Sequence, residues 1–230
     1  MAQDVFREVE DDLKAERVRK IARRYAGAGI VVAVFAVAAG VAWSWRVSGK
    51  NADLLLKTGI YLSALRQTDH ISPSSAGPVA LPETAQAGLI SLRKLATTSP
   101  EGIKTLARLQ EGGVQAAQGD IKAALTTWDL VQNDERADPL LRSLASLLWC
   151  QRQVDDGDPA MLRSRLSLLS GKDKPWSALA SESLAILDLR EGKVDAARKK
   201  FAALAEDQAI PSGVRSRAQA MLEVIEAPAG

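Results

Sequence analysis

Hydrophobic residues recur along most of the chain at the three- and four-residue spacing of amphipathic helices. From residue 50 onward this pattern is interrupted only by short stretches rich in glycine, proline and aspartate, and no run alternates as a strand does. The pattern predicts helices over 51–67, 82–98, 101–118, 120–133, 138–154, 158–170, 176–190, 193–207 and 211–226. The longest break, DHISPSSAGPVALP, has no periodicity and predicts a loop. The expected fold class is therefore all-α.

One apolar segment near the N-terminus lacks the polar face of a core helix. Residues 26–45 contain no charge over 20 positions, and a helix of that length spans a bilayer's hydrocarbon core of roughly 30 Å. Tyr25 stands at one end and Trp43 and Trp45 at the other, where aromatic rings prefer the headgroup level. We predict a transmembrane helix over 25–46, preceded by a charged N-terminus over 1–24.

A cleavable signal peptide is the alternative interpretation of this segment. The tripeptide Ala36-Val37-Ala38 resembles a cleavage motif. However, the apolar run continues beyond it to the two tryptophans, and the preceding segment carries six acidic residues, unlike a short basic leader. These features favour an uncleaved anchor.

The distribution of basic residues predicts the orientation of the anchor. Three basic residues follow the apolar run most closely, at Arg46, Lys50 and Lys57. Six precede it, namely Lys14, Arg17, Arg19, Lys20, Arg23 and Arg24. Because the side richer in Lys and Arg stays in the cytoplasm, the N-terminus is expected to be cytoplasmic. In a bacterial inner membrane, residues 50–230 would then lie in the periplasm.

Four small residues form a stripe on one face of the predicted anchor. Gly29, Ala33, Ala36 and Gly40 are spaced by four, three and four positions, which would let a second transmembrane helix approach closely. Ten of the 20 residues are Ala or Gly, so the stripe also has a purely compositional explanation. Both interpretations stay open.

The glycines that punctuate the second half of the chain recur at a regular interval. Gly119, Gly157 and Gly192 are 38 and 35 residues apart, close to the period of tetratricopeptide-type helix pairs. Residues at the same distance from each of these glycines are alike in being small or apolar. This predicts packing residues at Gly112, Ala124, Trp128, Cys150, Ala185, Ala197 and Phe201. We therefore predict an α-solenoid of tetratricopeptide-like repeats over 101–226, after a first helical pair over 47–100 and before a tail over 227–230.

The repeats depart from the usual pattern at one position. The aromatic residue expected four positions before each glycine is replaced by Gln115, Gln153 and Asp188. The repeats are therefore divergent, and the packing between successive pairs is expected to be modified.

Composition narrows the possible chemistry. A net charge of +2 argues against a nucleic-acid binder, and a single cysteine, Cys150, excludes an internal disulfide. The single histidine, His70, lies in the predicted loop, so neither a catalytic triad nor a zinc site can be assembled around histidine. We expect no enzymatic activity and no cofactor.

Stacked helix pairs present a face on which a partner protein can bind. By repeat position, the residues expected to line it are Leu147, Gln151, Glu182, Ile186 and Leu189. Internal packing explains the apolar members of this set equally well.

The layout and two segments resemble a known family. The segments PWSALASESLAILDLREGKVDAARKKFAAL (175–204) and EGIKTLARLQEGGVQAAQGDIKAAL (101–125) are similar to the repeats of the bacterial ancillary SecYEG translocon subunit family. The resemblance implies a non-enzymatic inner-membrane protein that associates with the translocon and with periplasmic chaperones or exported clients. The competing hypotheses are a scaffold for cell-envelope assembly or division and, with least support, an enzyme.

Overall fold

The computed structural model describes residues 52–69 and 81–226, and every regular element in these ranges is an α-helix. The helices are α1 (52–68), α2 (Glu83–Thr98), α3 (Glu101–Ala117), α4 (Ile121–Gln132), α5 (Pro139–Arg152), α6 (Pro159–Leu169), α7 (Ser177–Arg190), α8 (Val194–Glu206) and α9 (Ser212–Glu226). The predicted all-α class is confirmed for this part of the chain, and the predicted boundaries are correct to within two residues.

Local signals account for the helix starts. Asp120, Asp138 and Asp158 each precede a helix, and their carboxylates accept hydrogen bonds from backbone N–H groups of the first turn. Pro139 and Pro159 follow two of these caps, at a position where a helix needs no N–H donor.

Two of the three punctuating glycines end their helices in the same way. Gly119 has a φ of 84° and Gly192 a φ of 75°, a conformation that favours glycine. At each, the residue after the glycine donates its N–H to a carbonyl five residues earlier, on Gln115 and Asp188 respectively. This is the hydrogen-bond pattern of a Schellman motif. Gly157 differs, because its N–H donates to Gln153 instead, at 2.7 Å, and its φ is not positive.

The chain divides into two compact units, Met1–Leu56 and Lys57–Gly230, and the structure describes only residues 52–56 of the first. Within the second unit, from α2 onward, each helix packs against the next one in the chain. The odd-numbered helices α3, α5, α7 and α9 also contact one another in succession, whereas α4, α6 and α8 do not. The helices therefore form two layers, with the odd-numbered helices in the closer-packed layer.

The apolar interior of this unit consists of three neighbouring clusters. The first joins α1, α2 and α3 around Leu92, the second joins α3 to α7 around Trp128 and Leu166, and the third joins α7, α8 and α9 around Phe201. Because α3 and α7 each contribute to two clusters, no helix pair has a closed core of its own.

Candidate functional site

The residues predicted to pack between helices lie in the interior. Ala124, Trp128, Cys150, Ala185, Ala197 and Phe201 are all buried. Gly112 is buried against the indole of Trp128, which leaves no room for a Cβ. Gly157 is half-buried against Gln153 and Leu162, and Gly119 and Gly192 form the turns described above.

The predicted partner-binding face needs two corrections. Leu147 was assigned to it but is only 1% exposed, because it lies within the apolar cluster that joins α3 to α7. Glu182 is also buried, because Arg217 of α9 covers it with a two-point ion pair. Gln151, Ile186 and Leu189 are half-buried.

Two of the three polar residues that replace the repeat aromatics bond side chains on neighbouring helices. The amide oxygen of Gln115 accepts a 2.7 Å hydrogen bond from Thr127 on α4. The carboxylate of Asp188 accepts hydrogen bonds from Lys200 on α8 and from Arg163 on α6, the latter at 2.8 Å. Thr127 and Lys200 each lie twelve residues after their partners, so the two bonds occupy the same position in their repeats.

Asp188 is a buried carboxylate held in the charged form by two cations. Burial alone would raise its pKa, but the hydrogen bonds and positive charges of Lys200 and Arg163 outweigh that effect and lower the pKa below its ordinary value. Arg163 also pairs with Glu191, whose pKa is lowered mainly by that hydrogen bond. This network ties α6, α7 and α8 together.

An open groove lies between the C-terminal end of α4 and the helices α5 and α6. Its volume is about 360 Å³. The lining residues are Gln132, Asn133, Pro139, Arg142, Ser143, Ser146, Arg165, Leu168 and Leu169. Two arginines line it and no acidic residue does, so both charged side chains of the lining are cationic.

The two arginines are held differently. The guanidinium of Arg165 lies over the ring of Trp149, 4.0 Å from the ring centroid, and donates a hydrogen bond of 3.4 Å to Gln132. The Nε of Arg142 is shielded from water and has no hydrogen-bond acceptor in the described structure. Within the described residues, neither arginine forms an ion pair.

The neutral side chains of the groove are largely engaged with the protein itself. Ser143 donates to the carbonyl of Leu140 and accepts from Trp176, at 2.8 and 3.1 Å. Asn133 donates to the carbonyl of Asp129, and Gln132 donates to the carboxylate of the same residue. The N–H groups of the two guanidinium side chains are therefore the main hydrogen-bond donors left for a ligand. Such donors suit a carboxylate or another anion.

Arg142 and Arg165 were not singled out from the sequence. The repeat pattern could have indicated Arg165. Arg165 follows Gly157 by eight residues, as Lys200 follows Gly192, yet the position equivalent to Asp188 in that repeat is the neutral Gln153. The cation at this position therefore lacks the carboxylate that its counterpart has.

Other site chemistry is limited in this part of the chain. Among residues 52–69 and 81–226, no three His, Cys, Asp or Glu side chains cluster in a way that could hold a metal ion. Burial raises the pKa of Cys150 to about 11, although the charge of Arg165 opposes the shift. His70 lies outside the described residues.

The predicted membrane anchor also lies outside the described residues. This applies to the segment 25–46, its small-residue stripe and the basic residues before it. None of the helices within the described ranges combines the length and the apolar character that crossing a membrane requires.

In comparisons with protein-family models, curated proteins and solved structures, the chain shows no significant match to any of them.

Proposed function

We propose that this protein is a non-enzymatic scaffold that binds other proteins and is anchored in the bacterial inner membrane by a single helix over 25–46. In this proposal the N-terminus is cytoplasmic, and the helical unit is a divergent tetratricopeptide-like α-solenoid in the periplasm. The partners are subunits of the Sec translocon, together with periplasmic chaperones or exported clients.

The observation that carries the proposal is the order of packing. Each helix from α2 to α9 contacts its neighbour in the chain, and the odd-numbered helices form a second set of contacts. Arrays of this kind bury their apolar faces between successive units and leave a long surface open to partners. The groove between α4, α5 and α6 is part of that surface.

The choice of translocon and chaperones as partners has a separate basis. It rests on the apolar run with its flanking charges and on the resemblance of segments 101–125 and 175–204 to the ancillary SecYEG subunit family. The stripe Gly29, Ala33, Ala36 and Gly40 supplies the face on which a translocon helix would pack.

Site-specific photocrosslinking in living cells tests the proposal. A probe at Ala33, on the stripe, is expected to capture a translocon subunit, whereas a matched probe at Val31, on the opposite face of the helix, is expected to contact lipid. Probes at Leu168 on α6 and Gln219 on α9, both exposed, examine the helical unit. The apparent size of the chain on the same blots reports whether the N-terminal segment is retained.

The outcomes separate the two scaffold hypotheses. If Ala33 and Val31 both contact lipid only, while Leu168 or Gln219 captures a cell-envelope assembly or division protein, the translocon proposal is wrong. The alternative scaffold function then replaces it. A cleaved N-terminus would also contradict the anchor.

A further inference from the structure

We propose that the groove between α4, α5 and α6 binds a carboxylate of an acidic polypeptide segment, with Arg142 and Arg165 as the two recognising cations. The inference rests on the proposed function, because it names the chemistry by which the scaffold recognises a partner.

The first support is the unbalanced charge of the groove. Most of the partly buried cations between α3 and α9 have a carboxylate partner. Lys200 and Arg163 pair with Asp188, and Arg108 pairs with Asp134 at 3.3 Å. Arg142 and Arg165 instead share a groove whose lining contains no acidic side chain. An anion entering the groove would therefore meet two cations and no carboxylate in the lining.

The second support comes from comparing the repeats. Gln115 and Asp188 each bond a side chain twelve residues later on the next helix. The equivalent pair in the middle repeat is Gln153 and Arg165. There Gln153 donates instead to the carbonyl of Trp149, at 3.3 Å. Lys200 and Arg165 occupy the same position in their repeats. Lys200 has a carboxylate partner at the position twelve residues earlier, whereas Arg165 has none there.

The third support is the way the two guanidinium groups are held. The contact of Arg165 with the ring of Trp149 restrains the position of the guanidinium without neutralising its charge. The Nε of Arg142 is buried without an acceptor. This N–H group has therefore lost its hydrogen bond to water and has gained none from the protein. Two partly dehydrated, oriented guanidinium groups bind a carboxylate more strongly than mobile surface cations do.

Two further features favour a polypeptide as the source of the carboxylate. Leu168 lines the groove and is 73% exposed, which offers an apolar contact to a neighbouring side chain of the ligand. The net charge of the whole chain is only +2, which argues against a nucleic acid, whose binding requires an extended basic surface.

Peptide binding to the full-length chain, purified in a mild detergent, tests the inference. Three fluorescent nine-residue peptides of leucine, alanine and serine are compared. The first has no charged side chain and ends in a free carboxylate. The second is the same peptide with an amidated end, and the third is amidated and carries two glutamates. Inorganic phosphate serves as the competitor that represents a simple anion.

At least one carboxylate-bearing peptide is expected to bind ten times more tightly than the neutral amidated peptide, and more weakly as salt is raised. The free-ended and glutamate peptides distinguish a chain terminus from acidic side chains. Arg142→Gln and Arg165→Gln are each expected to weaken this binding about tenfold. Arg152→Gln, which removes an exposed charge from α5 outside the groove, is the matched control and is expected to bind as the unmodified protein does.

The inference is overturned if the three peptides bind equally or not at all, if Arg142→Gln binds normally, or if phosphate is preferred to every peptide. Circular dichroism checks the fold of each variant. Should Arg165→Gln lose helicity, Arg142→Gln and the charge reversal Arg142→Glu decide the matter. The reversal leaves one cation, Arg165, beside one carboxylate, so the preference for the carboxylate-bearing peptides should be lost. Continued capture of translocon subunits at Ala33 despite such a failure would leave the proposed function standing.

Discussion

A Cβ atom placed on Gly112 would lie 2.8 Å from Cδ1 of Trp128, closer than side-chain contacts allow. The indole fills the space beside α3 and donates its Nε1–H to the carbonyl of Leu109 at 3.3 Å. The contact between α3 and α4 therefore depends on the absence of a side chain at residue 112.

Replacing Gly112 by alanine is expected to destabilise the protein by about 1–3 kcal/mol, because the overpacking outweighs the higher helix propensity of alanine. The neighbouring Gly113 provides a matched control, since a Cβ there would meet no atom within 4 Å. Gly113→Ala is expected to stabilise the protein by about 0.5–1 kcal/mol. Urea unfolding monitored by circular dichroism measures both. Equal effects at the two positions would contradict the packing described here.

Gly192 tests the role of backbone conformation rather than packing. Its φ of 75° is costly for residues with a side chain, although space around it is free within 4 Å. Gly192→Ala is expected to lose about 1 kcal/mol of unfolding free energy, and Gly192→Asn less, because asparagine tolerates this conformation better. Thermal unfolding measures the difference. If the alanine and asparagine variants were equally stable, strain at the Schellman turn would not be the cause.

The buried Asp188 is expected to make stability depend on pH. Its folded-state pKa is lowered, so the ionised carboxylate stabilises the protein above the ordinary value of about 4, and this stabilisation is lost as the pH falls through the folded-state pKa. Asp188→Asn is expected to cost about 1–3 kcal/mol at pH 7, because Lys200 and Arg163 lose their counter-charge. It should also make the free energy of unfolding less sensitive to pH below about 4.

Unfolding titrations at several pH values measure this dependence. The control is Asp195→Asn on α8, which breaks an exposed pair with Arg198 and should change stability little. A pH dependence of Asp188→Asn as steep as that of the unmodified protein would assign the effect to other carboxylates.

The ion pair of Glu182 and Arg217 is expected to hold α9 against α7. Two hydrogen bonds, of 2.6 and 2.7 Å, join the guanidinium to the carboxylate. Arg217→Ala should cost about 1 kcal/mol, because the two-point ion pair is lost while the carboxylate that Arg217 covered becomes accessible to water. The double variant Glu182→Gln, Arg217→Ala should be less destabilised than the sum of the single variants. Strict additivity in urea unfolding would show that the pair does not couple the helices.

Cys150 is expected to be unreactive in the folded protein. Burial raises the pKa of its thiol to about 11, so almost no thiolate is present at pH 8, and the side chain is inaccessible to reagents. Labelling with a thiol reagent should be slow in buffer and complete in concentrated urea. Rapid labelling of the folded protein would instead indicate local opening of α5.

Much of the helical architecture was predictable from local features of the chain. Hydrophobic spacing and the caps at Asp120, Asp138 and Asp158 place the helix ends to within two residues, because capping and periodicity are decided by a few neighbouring residues. The offsets from the punctuating glycines correctly indicated the interior positions of Trp128, Cys150 and Phe201.

The residues of the candidate site were harder to predict from the sequence. Repeat position predicts Leu147 and Glu182 on the surface, but Leu147 lies within the apolar cluster that joins α3 to α7, and Arg217 of α9 covers Glu182. Arg142 and Arg165 form one groove only because α5 and α6 bring together residues that are 23 positions apart.

The sequence by itself determined that the described part of this chain is helical, where each helix begins and ends, and which small residues face inward. Those properties depend on backbone propensity, capping and side-chain periodicity, which act over one or two turns. Only the tertiary structure decided which polar side chains are paired and which are not. Asp188 pairs with Lys200 on the next helix and with Arg163 on the preceding one. Arg165, at the position that matches Lys200, lies over Trp149 and lines an open groove. Pairing of charges depends on distances between helices, and those distances are set by packing across the whole array.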